Sequence, residues 1–113
     1  MATLYSYNIT DAITNTTFEG VEFTVTFNTL PLDLTGADIK MNVVNKKFIN
    51  SQNYQYSVGS GITITDAVNG VFTFDEQIIT IPSGLWKYDI TFHLADGSVH
   101  TLIKGDWTIL ENL

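Results

Sequence analysis

The sequence predicts an all-β fold, an antiparallel β-sandwich of about seven to eight strands. Residues 1–113 are read as a single domain, with residues 1–15 as an N-terminal arm or edge strand. Three observations carry this reading. Ala95-Asp96-Gly97-Ser98 holds the Asp-Gly signal of a tight hairpin turn between two alternating runs. Other segments also alternate apolar and polar residues with a period of two, separated by turn residues roughly every 8–12 positions. No segment carries a helical period.

In chain order, Leu4 to Ile9 alternates weakly and reads as a strand or extended arm, followed by a polar loop from Thr10 to Thr17. Val21, Phe23, Val25 and Phe27 then point one way, with Glu22, Thr24 and Thr26 on the opposite face, as a half-buried strand requires. Asn28 to Gly36 breaks the alternation and is expected to tuck its leucines into the core. Ile39, Met41 and Val43 mark the next strand. A mobile polar loop is expected from Val44 to Asn53, containing the basic pair Lys46-Lys47 and the apolar Phe48-Ile49. Tyr54, Tyr56 and Val58 alternate and lead into the Gly59-Ser60-Gly61 turn.

Ile62 to Phe74 reads as a hairpin whose apolar pattern selects a five-residue loop, Asp66 to Gly70. That loop sets Ile64 opposite Phe72 and Ile62 opposite Phe74, whereas a two-residue Asn69-Gly70 loop would mix the faces. Ile78 to Ile81 is a short apolar strand closed by Pro82-Ser83-Gly84. In the last hairpin, a two-residue Asp96-Gly97 loop pairs Trp86 with Trp107, Tyr88 with Gly105, Ile90 with Ile103, Phe92 with Thr101 and Leu94 with Val99. The other face then pairs Lys87 with Asp106, Asp89 with Lys104, Thr91 with Leu102 and His93 with His100. A one-residue slip would expose the aromatic row and undo the charge pairing together. Gly84, Trp86 and Tyr88, alternating after a Ser-Gly turn, suggest an immunoglobulin-like architecture, although the Cys-Trp-Cys signature is missing.

The composition excludes several functions. Cysteine is absent, which removes disulfides and thiolate metal sites and fits maturation in a reducing cytoplasm. The first residues show no signal-peptide pattern, and no apolar run approaches the roughly 20 residues of a membrane helix; a soluble protein with no membrane partner is expected. The net charge of −7, with five lysines and no arginine, disfavours nucleic acid as a partner.

Candidate chemistry is sparse. His93 and His100 face each other in the predicted register, but a metal needs further ligands that Thr91 and Leu102 do not supply. Ser98, His100 and Asp96 cluster at a wet hairpin tip, unlike the dry pocket a catalytic triad requires. Asp75-Glu76 point to opposite faces, and the Asp66–Gly70 loop lacks the alternating acids of a calcium loop. No catalytic, cofactor or metal residue is therefore assigned, and no enzyme is expected. Among the aromatics that a sugar-stacking platform would need, Trp86 and Trp107 fall on the core face, while Tyr54 and Tyr56 stay open. The candidate interaction surface comprises Tyr5, Tyr7, Lys46, Lys47, Phe48, Tyr54 and Tyr56.

Motifs spread along the chain carry a resemblance: the Phe18–Phe27 strand, Leu32-Asp33-Leu34-Thr35-Gly36-Ala37 with Ile39 and Met41, and Gly61 to Asp66 with Asn69-Gly70. Ile81-Pro82-Ser83-Gly84, Tyr88-Asp89-Ile90, Asp96-Gly97 and Gly105 to Ile109 continue it. The chain resembles bacteriophage tail and baseplate domains, most of all the N-terminal domain of siphophage upper baseplate proteins. The resemblance implies a non-enzymatic virion component, an immunoglobulin-like module of the tail, baseplate, neck or capsid. It would be made in the host cytoplasm and act through contacts with other virion proteins, in a homo-oligomer or symmetric assembly, during particle assembly or host adhesion. Members of this family usually continue into a linker and a receptor-binding or fibre region. The chain is therefore expected to be a self-standing accessory protein or to work with a receptor-binding part on another chain. The alternative is a carbohydrate- or cell-surface-binding module.

Overall fold

The computed structural model describes residues 5–27, 29–45 and 53–111. They form strands β1 (Tyr5–Ser6), β2 (Ile9–Ile13), β3 (Thr17–Phe18), β4 (Val21–Thr24), β5 (Thr26–Phe27), β6 (Leu30–Pro31) and β7 (Asp38–Val44). The remainder are β8 (Asn53–Val58), β9 (Gly61–Asp66), β10 (Val71–Phe74), β11 (Gln77–Ile78), β12 (Gly84–His93) and β13 (Val99–Leu110). No helix occurs among the described residues.

One sheet runs β1-β13-β12-β7-β8-β9-β10-β4, with β2 also on β13; β11-β3 and β5-β6 form two small sheets. In a flat sheet, strands about 4.8 Å apart would hold β12 and β10 about 19 Å from each other, because three strands lie between them. Instead the rings of Phe72 and Phe92 meet edge to face with centroids 5.5 Å apart. The sheet therefore curls over its own apolar face, consistent with a β-sandwich. Trp107 sits inside the fold, wholly buried, with the rings of Phe18, Phe74, Tyr56 and Tyr88 around it.

The period-two signal of β7 is realised fully: Ile39, Met41 and Val43 are buried and the residues between them half-buried. Leu32 and Leu34 also enter the core, while Leu30 is exposed on β6. The β12–β13 register agrees with the sequence from Trp86↔Trp107 to Ile90↔Ile103 and departs at the tip. There Gly97 donates to Leu94 O and Leu94 N donates to Ser98 O, with Gly97 at φ 91°. This is a three-residue loop closed by a left-handed glycine, not a two-residue turn.

The offset is absorbed by a bulge at Leu102, which allows both Leu102 and Ile103 to be buried. In consequence Thr91 opposes Thr101, Phe92 opposes His100 and His93 opposes Val99. The two histidines do not face each other, and Val99 is exposed rather than packed beside Leu94.

The β9–β10 hairpin keeps the expected faces, Ile64↔Phe72 and Ile62↔Phe74. A bulge lets Asp66 pair with Val71, shortening the loop to 67–70. Three further expectations are corrected. Thr10 to Thr17 is not a polar loop but contains β2 and β3; Ile9 and Ala12 are buried against Trp107 and Ile109, and a register shift between them hides the alternation. The Val21–Phe27 run is broken at Val25, whose N–H turns to Gly70 O. Only Gln77–Ile78 forms a strand in the apolar run near Ile78; Ile79 and Ile81 are buried outside strands and Ile78 is exposed. Pairing is also mixed, since β1 and β2 run parallel to β13 and β8 runs parallel to β9.

Candidate interaction surfaces

The N-terminal arm is stitched onto β13 through backbone. Tyr5 and Ser6 align with Ile103 and Lys104, and Tyr7 N donates to Lys104 O at 3.0 Å. The Tyr88 phenol donates to Tyr7 O, and Asp106 N donates to Asn8 Oδ1 at 3.0 Å. This close approach requires Gly105: a Cβ there would lie 1.8 Å from Tyr7 O. Burial, and secondarily the neighbouring Tyr7, push the Tyr88 phenol well above its usual range, so it remains a donor. The Tyr7 ring meets Phe23 edge-on with centroids 5.6 Å apart and leaves part of its surface exposed.

Beside the arm, β7, β8, β12 and β13 present a polar outer face. Gln55 donates to Asn42 Oδ1 at 2.8 Å, and Asn42 donates to Asp89 Oδ1 at 3.0 Å. Lys87 pairs with Asp106 at 2.6 Å as the register predicts, and Thr91 and Thr101 share a hydrogen bond of 2.8 Å. Asp89 and Lys104 are cross-strand neighbours, yet Asp89 is held by Asn42 and forms no ion pair with Lys104. A groove of about 510 Å³ runs between Ser6, Asn8, Asn42, Asp89, Lys104 and Asp106. Next to it, Val44, Leu85 and Thr108 line a more apolar hollow of about 390 Å³. Leu85 is exposed, as are Leu110 and its neighbour Ile13 on β2.

Tyr54 and Tyr56 are half-buried. Tyr54 meets Trp86 edge-on at 5.6 Å, and Tyr56 meets Phe74 edge-on at 4.8 Å, so both rings are engaged with the aromatic core. Burial raises the Tyr56 phenol, with a smaller push from Tyr54. For Tyr5 only the backbone position in β1 is described; Lys46, Lys47 and Phe48 lie outside the described residues.

The acids singled out as candidate chemistry serve turns and strands instead. Asp96 accepts from Ser98 N and Ser98 Oγ at 2.8 and 2.6 Å, which lowers its carboxyl below the ordinary range. Ser98 is thus committed to Asp96, while the His100 ring lies against Phe27, centroids 5.1 Å apart. Asp33 is lowered in the same way by the Thr35 hydroxyl and N–H. Asp75 accepts from Thr63 and Asp66 from Asn69. Among the described residues, no three His, Asp or Glu side chains converge as a metal site would require. Among the described residues these surfaces carry hydrogen bonds, the Lys87–Asp106 ion pair and exposed apolar side chains.

Two features are invisible to strand periodicity: the Tyr88 phenol at the arm and the Gln55-Asn42-Asp89 chain. The first depends on a contact between residues 81 positions apart. The second requires the order of β8, β7 and β12 within the sheet.

Compared with known families, the sequence matches a family described as the BppU N-terminal domain, over residues 6–101. A search of curated proteins found no match.

Proposed function

Because the chain belongs to the BppU N-terminal domain family, a domain of phage baseplate upper proteins, we propose that it works by protein contact alone as an assembly module of the virion. The family places it among phage baseplate structural domains and associates it with other virion proteins. The match over residues 6–101 carries the reading, since it runs from Ser6 in the arm through β12 to the first residues of β13.

The finer proposal is an immunoglobulin-like module that joins neighbouring virion proteins without catalysing a reaction. Its contact surface combines the exposed side of Tyr7 with the outer face around Leu85, Leu110 and Ile13. A rigid polar sheet edged by apolar side chains suits such docking, because its internal hydrogen bonds set the geometry before binding. Burying its edges in a symmetric assembly or homo-oligomer would also protect them from non-specific pairing. A part in host adhesion would then be indirect, through the proteins it positions.

Tyr7→Asp and Leu85→Asp test this surface. Each variant is expected to retain a folded core by tryptophan fluorescence and to fall at least about tenfold in incorporation into particles, equivalent to about 1.4 kcal/mol of lost contact. Full incorporation of both variants would exclude this surface as the contact.

A further inference from the structure

The chain contains one Asn-Gly bond, Asn69-Gly70, in the turn between β9 and β10. Chemically this is the most reactive kind of asparagine linkage. The Gly70 backbone nitrogen, once deprotonated, can attack the Asn69 side-chain amide carbon, and glycine has no side chain to hinder ring closure. An N–C bond forms to the side-chain carbon, the bond from that carbon to the amide nitrogen breaks, and ammonia leaves after taking up a proton. Water then opens the cyclic imide at either carbonyl, giving aspartate or isoaspartate; no oxidant or reductant is involved.

The fold obstructs this step at the attacking atom. Gly70 N donates to Ala67 O at 3.1 Å, and Gly70 O accepts from Val25 N at 2.9 Å. Gly70 is buried, wedged so that even an added Cβ would lie 2.4 Å from Val25 O. Ala67 O also accepts from Leu34 N at 2.8 Å, tying the turn to the Leu32–Leu34 segment. The electrophile, by contrast, is accessible: Asn69 is exposed and its Nδ2 donates to Asp66 Oδ2 at 2.9 Å. The nucleophile is therefore locked while the amide is open.

We propose that Asn69 is a site of spontaneous deamidation, gated by opening of the β9–β10 turn, and that its product weakens the turn that protected it. Conversion replaces the Asn69 donor with a carboxylate facing Asp66 Oδ2, so a hydrogen bond becomes a like-charge contact. The isoaspartate product also adds a backbone atom to a turn whose Gly70 position has no slack. An opened and converted turn consequently recloses less readily than the original.

The test uses the full chain, incubated at mildly alkaline pH in native buffer and in denaturing urea, with peptide mass spectrometry reading amide-to-acid conversion at every asparagine. Asn69 should convert first in urea and at least about tenfold more slowly in the native protein, because reaction there requires local opening. Equal rates in the two conditions would overturn the gate, and another asparagine leading in urea would overturn the site. The variant Asn69→Asp supplies one product directly: a lower urea midpoint is expected, and an unchanged midpoint would overturn the claim that conversion weakens the turn.

Discussion

Gly105→Ala should detach the N-terminal arm, at a cost that can be built from the structure. The new methyl group would sit 1.8 Å from Tyr7 O, 2.7 Å from Tyr7 C and 3.1 Å from Tyr88 Cε1. Tyr7 must therefore move by more than an ångström, and the hydrogen bonds from Tyr7 N to Lys104 O and from Tyr88 Oη to Tyr7 O break with it. Two net hydrogen bonds at about 1 kcal/mol each, plus about 1–2 kcal/mol of residual crowding, give a loss of about 3–4 kcal/mol. That is a large part of the roughly 5–15 kcal/mol that stabilises a typical domain. Urea unfolding followed by fluorescence of the buried Trp86 and Trp107 reads the loss, and amide exchange at Tyr7 reports the arm. Gly97→Ala is the control: nothing lies within 4 Å of its Cβ position, so only left-handed backbone strain of about 1–2 kcal/mol applies. A Gly105→Ala protein within about 0.5 kcal/mol of the parent, with the Tyr7 amide still protected, would show that the arm does not depend on the missing side chain at Gly105.

Two other outcomes follow from the same contacts. Tyr88→Phe should cost about 0.5–1.5 kcal/mol at neutral pH through loss of the bond to Tyr7 O. It should also flatten the alkaline limb: the folded phenol titrates above its usual 10.0, so the fold holds a proton that the unfolded chain releases. The resulting stabilisation is complete below about pH 10 and lost as pH rises through the folded value, which urea midpoints at increasing pH would show. Lys87→Ala should change stability by no more than about 1 kcal/mol, because its partner Asp106 is also on the exposed face; a thermal melt in low and high salt checks this.

Much of the frame can be read directly from residue order. β7 follows from the alternation of Ile39, Met41 and Val43, and the Trp86↔Trp107 to Ile90↔Ile103 register follows from pairing aromatic with aromatic and Lys87 with Asp106. The hairpin tip was not determined in this way, because Asp-Gly suits either a two- or a three-residue loop. The core decided between them, since the bulge buries Leu102 alongside Ile103. β2 carries no period-two signal for a related reason: Ile9 and Ala12 share the core but stand an odd number of residues apart, and only a register shift reconciles them.

The surfaces were less readable than the fold. Arm docking rests on Gly105 lacking a side chain and on the Tyr88 phenol meeting a carbonyl far away in sequence, neither of which has a periodic signal. Tyr54 and Tyr56 looked free because alternation assigns a face without saying how that face is covered. The curled sheet brings the aromatic core to them. The virion setting was legible only through the family motifs, which are chiefly turn and core residues.

Membership of this family implies that the chain is a fixed part of a phage particle. Quantitative mass spectrometry of gradient-purified particles, produced by a host carrying the gene, tests it most directly. The chain is expected at a constant ratio to the baseplate proteins across preparations and through salt washing, as a built-in component rather than a screened surface contact would be. Particles with a complete baseplate but without this chain would contradict it.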